Sequence, residues 1–158
     1  MDEIISITEI KTTERLNLGD LGEALAARFL QKEGYRLVVA NFKVPVGRNS
    51  KGVQVTGEID LIALDGDVLC FVEVKTRRSA EFAPVLTAVD FRKQRQITRT
   101  AKVYRKIFGI RDVEYRYDVV TVLMPKGEKP KIELSKGFWN EGKFLKRSWN
   151  HQTWQDFV

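Results

Sequence analysis

Cysteine is nearly absent: Cys70 is the only one in 158 residues, and it lies inside the apolar run Val68-Leu69-Cys70-Phe71-Val72. No intramolecular disulfide can form, and a reduced, buried thiol suits a reducing compartment, so the cytoplasm is the expected location. Histidine is equally scarce. One imidazole, His151, and one buried thiol do not make a zinc set. No apolar run approaches the roughly eighteen residues a membrane-spanning helix needs. The N-terminus carries Asp2, Glu3, Glu9 and Glu14 among isolated isoleucines, without the basic start and apolar stretch of an export signal. Neither a membrane nor export is expected, and no internal repeat or low-complexity tract appears.

What is present suits one compact unit. Hydrophobic residues make up 43% of the chain, enough for a real core at this length. Lys and Arg number 27 against 21 Asp and Glu, a formal charge of +6. That excess favours a polyanionic partner without identifying one.

Residues 1–17 alternate weakly and read as an N-terminal arm. From Asp20, Leu21, Ala24, Leu25, Arg28, Phe29 and roughly Lys32 follow helical spacing up to Gly34, which predicts a helix over 19–33 with a glycine C-cap. Residues 35–42 are β-rich, and 45–57, with Pro45, Gly47, Asn49, Ser50 and Gly52, reads as a loop carrying Arg48 and Lys51. Two apolar runs, Ile59 to Leu64 and Val68 to Lys75, flank Asp65-Gly66-Asp67, a strong hairpin signal. A second helix is expected over 84–108, with a core stripe of Val85, Val89, Ile97, Ala101, Tyr104 and Phe108, ending at Gly109. Tyr115 to Met124 reads as a further strand, stopped by Pro125. The remainder, 126–158, is polar and basic and holds Trp139, Trp149 and Trp154. This order predicts an α/β fold, a mixed central β-sheet flanked by helices, over 18–125.

The hairpin concentrates acids. With a two-residue loop at Asp65-Gly66, Leu64 faces Asp67, Asp60 faces Phe71 and Glu58 faces Glu73. Alternation then puts Glu58, Asp60, Glu73 and Lys75 on one face, with Asp60 and Glu73 diagonal neighbours roughly 7–8 Å apart. Crowded carboxylates repel unless a divalent cation or a proton neutralises them. Oxygen-only ligands select Mg²⁺ or Mn²⁺. Such an ion can polarise a phosphodiester and activate water, while Lys75 orients the water or stabilises charge on the phosphorane. Glu-x-Lys on a strand is a weak signal alone, because alternating charges decorate many solvated faces. Here the residues around the acids are apolar, and burying unpaired acids is costly.

The segments Leu21-Gly22-Glu23, Gly34-Tyr35, Asn41-Phe42, Gly57-Glu58-Ile59-Asp60-Leu61-Ile62, Phe71-Val72-Glu73-Val74-Lys75-Thr76-Arg77, Ala88-Val89-Asp90, Lys93-Gln94 and Tyr117-Asp118-Val119-Val120 together resemble the YraN-like family of bacterial predicted endonucleases, from about 18 to 124. That family is similar to Holliday-junction resolvases within the PD-(D/E)XK superfamily. The resemblance implies a restriction-endonuclease-like fold, a magnesium-dependent nuclease site and a nucleic-acid substrate, most simply branched DNA in repair or recombination. Asp60, Glu73 and Lys75 match the superfamily's acid, acid and lysine, with Ile59 where its proline usually stands. Glu23 matches the additional glutamate of the resolvase branch, which makes Glu23, Asp60 and Glu73 the expected metal ligands. The role of Glu58 is less defined.

Other features admit two readings each. Glu23 also suits the positive end of its helix dipole. In the second helix Arg92, Lys93, Arg95, Arg99, Lys102, Arg105 and Lys106 come without an acid between them, and Arg92, Arg95 and Arg99, with Arg48, Lys51, Arg77 and Arg78, form a candidate phosphate-binding set, yet a basic helix can simply be solvated. Lys93 falls on the core stripe and should point toward the acids, so Lys93 or Gln94 is expected to complete the site. Asp118 suits pairing with a core arginine as well as catalysis. The tryptophans of 126–158 can stack on unpaired bases, pack on the domain or meet a protein partner, and a two-fold branched substrate would favour a homodimer. The competing expectations are a non-catalytic nucleic-acid-binding module that keeps the nuclease-like fold, and a scaffold protein assembling through its tail.

Overall fold

The computed structural model describes residues 17–79 and 89–144. All of the expected arm over 1–17 except Asn17 lies outside the described residues, as do Pro84, Val85, His151, Trp149 and Trp154.

Helix α1 spans Leu18–Lys32, opened by Asn17, whose side chain accepts a hydrogen bond from Asp20 N at 2.9 Å, and closed by Gly34 at φ +91°. Its buried stripe is Gly22, Ala26 and Leu30, rotated from the expected one, so Ala24 and Arg28 are exposed. Strands β1 (Arg36–Arg48), β2 (Gln54–Asp65) and β3 (Val68–Arg77) form an antiparallel meander. Helix α2 (Phe91–Ile107) crosses over to β4 (Tyr115–Leu123), which lies parallel to β3, and β5 (Lys131–Trp139) pairs antiparallel with β4. The result is a mixed five-stranded sheet in the order β1-β2-β3-β4-β5. Helix α1 covers one face through Ala26 and Leu30 on Leu61, Val72 and Val120. Helix α2 covers the other through Ile97, Ala101 and Tyr104 on Ile62, Phe71 and Tyr117.

Four expectations change. β1 continues to Arg48, leaving only a short turn around Asn49 to Gly52 in place of the loop expected over 45–57. Pro45 is tolerated because β1 is an edge strand and the register shifts between Pro45 and Gly47. Helix α2 begins at Phe91 rather than Pro84, because the Asp90 side chain accepts from Lys93 N at 2.9 Å and caps it. The chain beyond Pro125 does not leave the sheet: β5 seats Trp139, stacked on Tyr117 with centroids 4.8 Å apart.

The fourth change is the hairpin register. Leu64 pairs with Leu69 and Asp65 with Val68. Gly66 sits at the first central turn position with φ +60°, which glycine adopts without steric cost, and the turn moves one residue along. Each strand partner therefore shifts by two residues. A slip of two preserves faces, whereas a slip of one would have turned the acids around.

Candidate functional site

The regular ladder between β2 and β3 ends at Leu61 and Val72, and the same register carried one step further sets Asp60 against Glu73 in place of the expected diagonal. Beyond that step the Asp60 side chain replaces a ladder carbonyl, with Oδ2 accepting from Val74 N at 2.8 Å. Both acids are buried, Glu73 to 2% exposure and Asp60 to 8%. They lie where the regular β2–β3 pairing stops, in the middle of the parallel β3–β4 pairing, where Glu73 stands opposite Val119.

Cations reach Glu73 from two elements. Lys75 Nζ on the same strand stands 3.1 Å from Glu73 Oε1, and Lys93 Nζ from the first turn of α2 stands 3.6 Å from the same atom. Glu73 Oε2 is buried with no hydrogen-bond partner. Asp60 can satisfy it only by carrying a proton. Burial first, then the charge of Glu73, pushes the Asp60 carboxyl up to about 7, while the bond from Val74 and the charge of Lys93 oppose this.

Glu23 approaches from α1. Burial is the largest influence on it, followed by repulsion from Asp60, Asp20 and Glu58, and its carboxyl is raised to about 7. What brings it there is Gly22: a Cβ at that position would overlap the Thr76 side chain on β3, so the helix sits against the strand at its first turn. Gly57 does the same for α2, because a Cβ there would overlap Thr100 and Val46.

Asn41 belongs to the site and was not anticipated from the sequence. It stands in mid-strand at φ +52°, and its side chain hydrogen-bonds Glu23. Asparagine is among the few side chains at ease in that backbone region. The β1–β2 pairing steps over Asn41 and Asp60, from Ala40 with Leu61 to Phe42 with Ile59. Alternation consequently skips: Ile59 and Ile62 both pack beneath α2, while Leu61 packs beneath α1. Glu58 is thereby separated from the expected common face. It pairs with exposed Lys43 at 3.6 Å and affects Glu23 only through its charge. The available signal was Asn41 itself, a polar turn-former inside a β-rich run.

Gln94 is also not among the acids. Its Nε2 donates to Val89 O at 2.9 Å and its Oε1 accepts from Lys143 at 3.4 Å, so it ties the entry of α2 to the chain after β5. Asp118 takes the bland role: Arg116 grips it through Nε at 2.7 Å, Tyr35 and Gly137 N donate to it, and Arg116 bridges to Asp65. That network lies toward the start of β4, on the other face of the sheet from Glu73.

In the basic set, Arg77 ends β3 and Arg78 follows it; both are exposed, as are Arg92, Arg95 and Arg99 on α2. Arg99 lies over Gly47, where a Cβ would meet its guanidinium, and this joins α2 to the β1–β2 turn that carries Lys51 and Arg48. Arg48 is held there by a bond from its guanidinium to Gly52 O at 2.7 Å.

An oxygen donor set with an orphaned carboxylate oxygen fits a hard divalent cation, and the fit is to the pair Asp60 and Glu73. Among the described residues no three acids, histidines or cysteines form a group that could hold a metal, so Glu23 stands nearby rather than within one coordination group. Among the described residues no helix is long and apolar enough to cross a membrane.

A mixed five-stranded sheet with a helix on each face, bearing paired buried acids where its β2–β3 pairing stops, defines an α/β protein with a buried polar site within its sheet. The family model described as uncharacterised protein family UPF0102 matches residues 22–122, and the chain belongs to that family. UPF0102 protein RSal33209_1090 of Renibacterium salmoninarum is 37% identical over 78% of this chain and 96% of its own. A UPF0102 protein of Dictyoglomus turgidum is 39% identical over 70% and 86%, and one of Chlorobium chlorochromatii 40% over 78% and 92%. The crystal structure of SSO0001 aligns with 85% of this chain and 57% of its own at 14% identity, with a TM-score of 0.38, too slight a likeness to argue from.

Proposed function

We propose that the chain is a Mg²⁺- or Mn²⁺-dependent endonuclease of restriction-endonuclease-like fold that hydrolyses phosphodiester bonds in DNA, with branched or structured DNA as substrate. The observation that carries this reading is Glu73: a carboxylate 2% exposed, with one oxygen unpartnered, set beside a second buried acid and facing two lysines. A purely structural ion pair would leave no oxygen unsatisfied and would not need a second carboxyl beside it.

Asp60 and Glu73 would hold the cation, which would supply Lewis acidity toward a phosphoryl oxygen and a nucleophilic water. The chain's own groups divide the remaining work. Lys75 and Lys93 direct positive charge at the space beside Glu73, where a phosphate accumulates charge in the transition state. Glu23, raised to about 7, is placed to accept a proton near neutral pH. The exposed Arg77, Arg78, Arg95 and Arg99 neutralise the phosphates on either side.

The test compares wild type with Glu73→Ala and Lys75→Ala on labelled branched, single-stranded and duplex DNA, in Mg²⁺, Mn²⁺ or EDTA. Cleavage that needs the cation and falls at least about a hundredfold in both variants is expected. Metal-independent cutting, or cutting unchanged in both, would refute the mechanism. Binding without any cutting would instead select the non-catalytic nucleic-acid-binding module.

A further inference from the structure

The far end of α2 holds a second basic feature that the acids do not use. A cavity of about 330 Å³ opens where α2 ends, and Lys102, Arg105, Lys106 and Arg111 converge on it with a single acid, Glu141. That acid is already committed: Arg105 donates to one oxygen at 2.7 Å, and Tyr117 and Tyr115 donate to its two oxygens at 2.6 and 2.7 Å. Lys102, Lys106 and Arg111 make no ion pair among the described residues.

Three uncompensated cations around one cavity repel each other and gain from an anion between them. Helix-dipole complementation accounts for Arg105 and Lys106 in the last turn. It does not account for Lys102, more than a turn upstream, or for Arg111, which returns toward the cavity after Gly109 breaks the helix at φ +60°.

The cavity also has a defined relation to the acids. Exposed Arg92, Arg95, Arg99, Lys102 and Lys106 recur at steps of three and four and form one stripe along α2. The stripe starts beside Lys93, which touches Glu73, and runs to the cavity. From Lys93 to Lys106 the helix advances about 20 Å at 1.5 Å per residue. That equals about six base-pair steps of duplex at 3.4 Å each.

We propose that this cavity is a distal phosphate subsite, which grips the nucleic-acid backbone about six base pairs from the acids and fixes the duplex length the protein needs on that side. The proposal rests on the nucleic-acid reading of the acid site. Lys102, Lys106 and Arg111 ligate the phosphate, and Glu141 holds Arg105 back as the wall of the site.

The full-length chain, with Asp60→Asn to prevent cutting, is titrated by fluorescence anisotropy against labelled DNA junctions whose arms run from three to twelve base pairs, at several salt concentrations. Affinity should rise as one arm passes about six base pairs. The triple variant Lys102→Ala, Lys106→Ala, Arg111→Ala should lose that rise and lower the log–log salt slope on long arms by about 0.9 for each phosphate it no longer neutralises. It should match the parent on short arms. Lys106→Arg, which keeps the charge, should retain the rise, and an unchanged melting temperature shows that the triple variant is folded. If the parent binds long arms and the triple variant binds them equally well, the subsite is refuted while the acid-site reading stands. If the parent binds no DNA of any form, both are overturned.

Discussion

At the scale of single residues, the decisive fact is that two carboxyls are held above their ordinary range, Asp60 by burial and the charge of Glu73, and half-buried Glu23 by burial and the charges of Asp60, Asp20 and Glu58. Asp60 and Glu23 bind protons more tightly in the folded chain than in the unfolded one. Between about pH 4 and 7 the folded state therefore holds more protons, and stability from these groups falls as pH rises through that window. Asp60→Asn keeps the acceptor for Val74 N and removes the charge. In EDTA its melting temperature should exceed that of wild type by about 2–6 °C at pH 8, with the gap closing toward pH 5. Mg²⁺ or Mn²⁺ selects the ionised carboxylates, so it should raise the wild-type melting temperature more at pH 8 than at pH 5, and should not do so in Asp60→Asn. Differential scanning fluorimetry across pH 5–8 reads both effects. A wild-type chain that gains stability over the variant as pH rises in EDTA would contradict the assignment.

At the scale of elements, contacts between helix and strand place the acids. Glu23 reaches Asp60 only because Gly22 lets α1 meet Thr76 without a side chain between. Gly22→Ala should cost about 1–3 kcal/mol by overpacking. Thr76→Ala should recover part of that loss, because it removes the atoms that a Cβ at Gly22 would overlap most. A double-mutant cycle by urea unfolding measures the coupling, and strict additivity would mean that α1 does not lean on β3 at this point. The same contacts explain what the sequence could reveal. Both helices, the central hairpin and β4 were legible, because period-3.6 and apolar runs there coincide with caps and turns. The pairing of Asp60 with Glu73 was only half legible: alternation preserved the face, but the exact register depended on which turn position took Gly66. The separation of Glu58 was not legible, because it follows from a left-handed Asn41 on another strand. β5 was hidden by composition. Its exposed-edge pattern of Lys131, Glu133 and Lys136 reads as polar tail until β4 is present to pair with it.

At the scale of the whole molecule, the sheet divides its polar groups between two clusters. One keeps its acids incompletely satisfied. The other is closed by Arg116, Asp118, Tyr35 and Asp65, with Lys136 of β5 bonding Asp65 at 3.1 Å. Satisfied networks rigidify a fold, whereas unsatisfied carboxylates cost stability, so the first cluster depends on packing supplied elsewhere. Much of that packing comes from the chain after Pro125. Trp139 stacks on Tyr117, and its indole N–H donates to Thr98 Oγ1 at 2.9 Å, on the helix whose first turn carries Lys93. Glu141 then fastens Tyr115, Tyr117 and Arg105 together. Trp139→Ala should accordingly destabilise the chain by about 3–5 kcal/mol, and a chain ending at Pro125 should not fold cooperatively. Trp139→Phe, which keeps the stack but leaves Thr98 without its donor, should lose less, about 1–2 kcal/mol. Urea denaturation followed by far-ultraviolet circular dichroism checks the series. If the chain ending at Pro125 unfolds with the same midpoint and slope as the full chain, β5 is an appendage to the sheet and not part of the core that holds Lys93 against Glu73.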